Sequence, residues 1–142
     1  MCIRDRANSG HPGGAMGGAD FINVLFSEFL VYDPENPRWE GRDLFFLDPG
    51  HMSPMLYSTL ALTGKFTLHE LKEFRQWGSP TPGHPEVDIM RGIENTSGPL
   101  GQGHTFAVGA AIAVSYTHLD VYKRQKELRM NEVYYMLNKA LC

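Results

Sequence analysis

Three histidines lie in short loops rich in glycine and proline, and their side chains are well suited to acid–base chemistry. His11 and His84 each stand inside a Gly-His-Pro unit, and His51 follows Gly50 after a short apolar run. A following proline disfavours helical backbone for His11 and His84, so their rings project from stiff loops. Imidazoles exchange protons with hydroxyl groups near neutral pH. We therefore predict proton transfer to or from hydroxyls at these positions. The alternative is a solvated side chain for the loop histidines and, for His51, a helix-capping or core histidine.

A zinc site is the competing interpretation of the same histidines. They come from separate loops without metal-ligand spacing, and both cysteines, Cys2 and Cys142, lie at the ends of the chain. Zinc sites commonly use closely spaced cysteine and histidine pairs. We therefore predict no metal ligand in this sequence, and no disulfide framework.

A second feature is the glycine-rich stretch 94–104, which includes Gly98, Pro99, Leu100, Gly101 and Gly103. Such a stretch has little side-chain bulk, so a ligand can approach its backbone closely. The small residues that follow at 105–113 predict a helix, and a glycine turn that opens a helix presents unpaired N–H groups to an anion. The alternative is a tight turn before a buried Ala/Gly helix.

The elements expected to position these residues alternate between helices and one strand. Apolar spacing predicts a core helix over 17–30, and the run 44–47 has the length and boundaries of a strand buried in a parallel sheet. The polar residues that follow this predicted strand include His51. They lie at the carboxyl end of the strand, which is where ligands bind in open α/β sheets. A helix is predicted over 54–62 with Gly64 as its C-terminal cap, and Thr67-Leu68-His69-Glu70 is a capping box that opens another.

Composition restricts the function classes. With 142 residues, 42% hydrophobic and 20% charged, the chain is one soluble domain or part of one. No apolar run reaches membrane-spanning length and no secretory leader is visible, so we expect a cytoplasmic protein. Residues 7–113 contain 6 Lys/Arg and 12 Asp/Glu. This acidic balance without a basic stripe disfavours nucleic acid and membrane surfaces as partners.

The two ends have a different character. Residues 1–6 and 120–125 are encodable by the same string of bases read in two frames, and 114–125 back-translate to a nearly self-complementary sequence. This resembles transposon-end sequencing adapters joined head to head. We predict that 1–6 and 114–125 are adapter-like scars. Residues 126–142 have the spacing of a further helix; across such a junction they would come from an unrelated DNA fragment, and we assign them no function.

Four motifs in residues 7–113 together resemble the start of a transketolase, the amino-terminal part of its thiamine diphosphate-binding (pyrophosphate) domain. They occur in the family's order with similar gaps: Ser9-Gly10-His11-Pro12-Gly13, Gly50-His51-Met52-Ser53, Thr81-Pro82-Gly83-His84-Pro85-Glu86 and Thr96-Ser97-Gly98-Pro99-Leu100-Gly101-Gln102-Gly103. The resemblance implies an α/β fold, here an incomplete piece of a parallel-sheet domain that is mostly helical in the part present.

The resemblance also implies an activity and roles for particular residues. Transketolases transfer a two-carbon ketol unit between sugar phosphates with thiamine diphosphate and Mg²⁺, and they act as homodimers. His51 and the Gly98-Pro99-Leu100 turn are similar to positions that hold the cofactor. His11 and His84 match histidines that meet the sugar hydroxyls near the reacting carbon and assist proton transfer there.

The sequence departs from the family where it breaks off. The Gly-Asp-Gly segment and the later asparagine that hold the cation are absent, as is the second domain whose glutamate starts proton removal on the cofactor. The resemblance therefore implies an enzyme fragment that is inactive alone. The alternatives are a related thiamine enzyme, such as a dihydroxyacetone synthase or a subunit of a split transketolase, and a non-catalytic binding module on the same fold.

Overall fold

The computed structural model describes residues 7–117 and is mostly helical, as expected for the part of the fold that is present. It separates after Ala107 into two compact units, and the described part of the second, residues 108–117, is the continuation of the last helix. The helices are α1 Pro12–Gly17, α2 Ala19–Val24, α3 Ser53–Leu62, α4 Leu68–Lys72 and α5 Gln102–Thr117, with a π-helical turn Leu25–Phe29 and 3₁₀ turns Gly50–Met52 and Ile89–Arg91.

The predicted adapter-like segments remain a prediction. Residues 1–6 and 118–142, which include the possible helix at 126–142, lie outside the described part of the chain, while 114–117 belong to α5. No helix within residues 7–117 combines the length and apolar character needed to cross a membrane.

The predicted helix at 17–30 begins earlier and is interrupted. Pro12 occupies the start of α1, where a fixed φ and a missing N–H are compatible with a helix. Gly18 separates α1 from α2, and a Cβ there would lie 2.6 Å from Met55 Sδ, so the bare backbone lets this junction approach α3. Ile22 and Leu25 are buried as the spacing predicted, whereas Phe29 is half exposed.

Helix α3 is the centre of the core; it ends at the predicted Leu62 and begins at Ser53, one residue before the predicted start. Its buried side chains pack with Leu47, Phe66, Phe74 and others in one cluster. The helix ends in a Schellman motif: Gly64 has φ 83°, its N–H donates to Ala61 O, and Lys65 N–H donates to Leu60 O. The predicted capping box is present at the start of α4, where Thr67 and Glu70 exchange hydrogen bonds.

The prediction of a strand at 44–47 is wrong, because no β-strand forms within residues 7–117. The one isolated β-bridge in this part of the chain joins Asp88 and Ile93. A strand requires neighbouring strands for its backbone groups. In their place the side chain of Asn95 acts on Leu47, accepting from its N–H at 3.0 Å and donating to its carbonyl at 3.2 Å. Asn95 thereby provides both hydrogen bonds that an adjacent strand would provide.

Candidate functional site

His11 and His51 lie together, although 40 positions separate them in the sequence. His11 precedes the first residue of α1 and is exposed, while the partly buried His51 lies in the 3₁₀ turn Gly50–Met52 before α3. Their ring centroids are 4.9 Å apart with the planes inclined at 63°. The histidine predicted to contact the cofactor, His51, and one predicted to contact the sugar, His11, therefore lie side by side.

His84 is exposed, and its segment is anchored to the beginning of α3. Ser53 Oγ donates to Gly83 O at 2.7 Å, and Tyr57 Oη donates to Pro82 O at 2.9 Å. Ser53 is only two residues beyond His51, so a single helical turn supports both histidine segments. Within residues 7–117 the His84 ring has no hydrogen bond or ring contact, and the structure does not bring it into contact with His11 or His51.

The Tyr57 phenol is a firm anchor because it stays protonated. Burial raises its pKa, and the negative charge of Glu86 raises it further. The Tyr57 side chain is fully buried, so its hydroxyl stays protonated and donates to Pro82 O across the pH range in which proteins ordinarily function. The structure thus explains how a tyrosine in a core helix fixes the position of an exposed loop.

The glycine turn lies directly against the turn that carries His51. A Cβ on Gly50 would lie 2.8 Å from both Ser97 C and Ser97 Oγ and 2.9 Å from Gly98 N. Gly98 differs, since a Cβ there would meet no atom within 4 Å and would enter open space. Pro99 and Leu100 are exposed, Leu100 at 72%. The predicted cofactor positions are therefore adjacent, and the open side of Gly98 is accessible to a ligand.

Asp48 holds the far end of this turn, and the sequence reasoning did not foresee it. Its carboxylate accepts from Gly101 N–H at 3.0 Å and lies 3.2 Å from His104 Nδ1. Gly101 has φ 88°, a conformation suited to glycine. The expectation of unpaired N–H groups at the start of α5 is thus wrong for Gly101, because an anion of the chain itself already lies there.

Ser97 strengthens the same attachment from the other end of the turn. Its hydroxyl donates to Leu47 O at 2.9 Å, beside the bonds that Asn95 makes to the same residue. These polar side chains were visible within the glycine-rich stretch, but their partners lie about fifty residues away. No local pattern in the sequence identifies such a pairing.

An apolar cavity of about 710 Å³ opens beside His11, between α1–α2 and α3. Ile22, Met55 and Leu62 are among its lining residues, whereas His51, His84 and Gly98 are not. The cavity is therefore distinct from the predicted cofactor positions. Its lining consists mainly of apolar side chains of the kind that form a protein core. The described residues contain no group of three or more His, Cys, Asp or Glu side chains arranged to hold a metal.

Comparisons with known proteins give the family of this chain. The family described as "Transketolase, thiamine diphosphate binding domain" matches residues 1–141. Transketolase 2 of Escherichia coli is 56% identical over 109 residues, which is 76% of this chain and 16% of that protein. Transketolase of Bacillus subtilis is 52% identical over 110 residues, again 16% of its length.

Solved structures show the same similarity. A transketolase from Pichia stipitis superposes with a TM-score of 0.76 at 45% identity, covering 80% of this chain and 17% of that one. The transketolase of Campylobacter jejuni gives 0.72 at 46% identity, covering 80% and 18%. The chain thus spans about a sixth of the length of its relatives. It belongs to the transketolase family, as part of the thiamine diphosphate-binding domain.

Proposed function

We propose that this chain is part of an enzyme that transfers a two-carbon ketol unit between sugar phosphates with thiamine diphosphate. The observation that carries the proposal is the packing of the Gly50–His51 turn against Ser97 and Gly98, with the His11 ring 4.9 Å from that of His51. Elements from three parts of the sequence thus meet, and they carry residues to which the resemblance assigns contacts with the cofactor and the sugar.

The residues present fit the cofactor. Gly98 leaves an open side that any larger side chain would fill, and neighbouring Pro99 and Leu100 are exposed. We propose that His51 and the Gly98-Pro99-Leu100 turn hold thiamine diphosphate there. When bound, the cofactor supplies the nucleophilic carbon and stabilises the negative charge that develops in ketol transfer.

In this proposal His11 and His84 act on the substrate. Both rings are exposed, and each supporting segment is held by another part of the chain, Gly83 by Ser53 and Ser9 by Arg75. A ring on a held loop can exchange a proton with a sugar hydroxyl without the entropic cost of first ordering the loop. Ser53 and Tyr57 contribute by holding the Pro82–Gly83 backbone and hence the direction of His84.

The remaining properties belong to the whole protein. We propose Mg²⁺ as the ion that accompanies the cofactor, a homodimer as the working assembly, and the cytoplasm as its location. We propose no nucleic acid and no membrane as partners. The chain alone should be inactive, because the family's Gly-Asp-Gly segment and the glutamate of its second domain do not occur in this sequence.

The test restores the missing parts. Residues 7–113 would replace the matching segment of Escherichia coli Transketolase 2, and calorimetry with Mg²⁺ present would measure thiamine diphosphate binding. Ketol transfer from xylulose 5-phosphate would be followed with a sugar-phosphate acceptor and with formaldehyde. A preference for formaldehyde would indicate the dihydroxyacetone synthase alternative, and absence of cofactor binding would favour the non-catalytic module.

Single variants of this graft test the assigned residues. His11→Ala and His84→Ala should each lower kcat by roughly 10²–10⁴-fold, the range for loss of a proton-transfer group. His69→Ala is the matched control, because His69 is exposed on α4 and its Nδ1 lies 3.9 Å from the Glu73 carboxylate, in a different segment of the chain from the loop histidines. Unchanged kcat in both active-site variants would contradict the roles proposed for them.

A further inference from the structure

Arg75 lies between the two Gly-His-Pro segments and contacts both. Its Nη1 donates to Ser9 Oγ at 3.3 Å, two residues before His11. A Cβ on Gly83 would lie 2.7 Å from Arg75 Nε and 3.2 Å from Cζ, so the guanidinium packs closely against the residue before His84. Its backbone N–H also donates to Thr81 O at 3.0 Å.

The conformation of Arg75 is unusual for an arginine. Its φ is 63°, in the left-handed region that residues with a side chain seldom occupy. Its Nε is buried without a hydrogen-bond partner among the described residues. The guanidinium carbon also lies 5.4 Å from the centre of the buried Phe74 ring. Such features persist only where surrounding structure enforces them, and they concentrate at functional sites.

We propose that Arg75 is a positioning residue that sets the spacing between the His11 and His84 segments. No hydrogen bond or ring contact joins the two histidines directly within residues 7–117, so the guanidinium is the side chain that touches both supporting segments. The branched guanidinium of arginine suits this role, because Nη1 reaches Ser9 while Nε and Cζ lie close to Gly83. The expected effect on catalysis rests on the proposed function. The role of Arg75 in setting the spacing of the His11 and His84 segments does not depend on that function.

The spacing is tested by chemical labelling, which needs no activity. The graft described above would be treated with diethyl pyrocarbonate, and carbethoxylation of each histidine would be measured by mass spectrometry. In Arg75→Met, labelling of His11 and His84 should both change severalfold, while His69 serves as an internal reference. If the variant alters neither histidine, or only His84, the proposal is overturned.

The second measurement is kinetic. Arg75→Met should lower kcat/KM by roughly tenfold to a hundredfold, as expected from an ångström-scale misplacement of catalytic groups. The dissociation constant of thiamine diphosphate and the melting temperature should remain near those of the parent graft. Arg75→Lys should restore only part of the rate, because a single ammonium cannot contact Ser9 and Gly83 at the same time as the branched guanidinium does.

Arg91→Met is the matched control, because Arg91 also lies over a phenylalanine, 4.8 Å from the Phe66 ring centre, and pairs with Glu70. It should lower the melting temperature without changing histidine labelling or kcat/KM. Ser9→Ala adds a coupling test, since its effect on His84 labelling should vanish in the Arg75→Met background. Persistence of that effect would overturn the proposal. A parent graft that fails to bind cofactor would refute the proposed function, while the labelling result would still decide the role of Arg75.

Discussion

Replacing Gly50 by alanine is expected to disturb the glycine turn through direct collision. The new Cβ would lie 2.8 Å from Ser97 C and 2.9 Å from Gly98 N, whereas carbon contacts are normally about 3.5–4.0 Å. The atoms involved are backbone, held by the Ser97 hydrogen bond to Leu47, so they must retreat by roughly 0.7 Å or more. Overpacking of this kind costs about 1–3 kcal/mol.

Gly98→Ala is the matched variant that separates stability from binding. Its Cβ would meet nothing within 4 Å, and its backbone lies outside the left-handed region. Surface substitutions of this kind usually change stability by no more than about 0.5 kcal/mol. Because the methyl group enters the space proposed for the cofactor, thiamine diphosphate binding should nevertheless weaken.

Urea unfolding of the full chain, followed by circular dichroism, measures the first effect, and calorimetry on the graft measures the second. We expect Gly50→Ala to lower the unfolding midpoint and Gly98→Ala to leave it unchanged. The reasoning would be refuted if both variants lost similar stability, or if Gly98→Ala bound the cofactor with parental affinity. Gly13→Ala, which also meets no atom within 4 Å, serves as a second neutral control.

Three further predictions concern stability, each measured by urea unfolding. Hydrogen bonding from the Thr67 backbone N–H, with Arg91 as a second cause, lowers the pKa of Glu70 to about 2. The folded state is therefore stabilised fully at pH values above the pKa that Glu70 has in the unfolded chain. This stabilisation is lost as the pH falls from there towards the folded-state pKa of about 2, so Glu70→Gln should weaken the pH dependence of the unfolding free energy. Tyr57→Phe should cost about 1–3 kcal/mol by removing the donor to a loop carbonyl. Asn95→Ala should cost a similar amount, because it leaves the buried Leu47 N–H without an acceptor; equal stability of variant and parent would contradict either estimate.

Local signals in the sequence predicted the local structure well. The capping box and the Gly64 cap are recognisable from a few adjacent residues, because they depend on backbone geometry within one turn. The break at Gly18 was missed, since it depends on close approach to Met55 in another helix. The strand at 44–47 was wrong because a strand is defined by its neighbours, and the described residues offer the Asn95 side chain in their place.

The sequence by itself was enough to identify the family and to name candidate residues, because the four motifs are short runs of adjacent residues that occur in the family's order with similar gaps. Tertiary structure alone decided which of them meet. It placed His11 beside His51, packed Gly50 on Gly98, and occupied the Gly101 N–H with Asp48. It also inserted Arg75 between two loops, a contact between residues 66 positions apart that no local spacing encodes. Such pairings follow from how the core brings distant segments together, so they become visible only once the chain is folded.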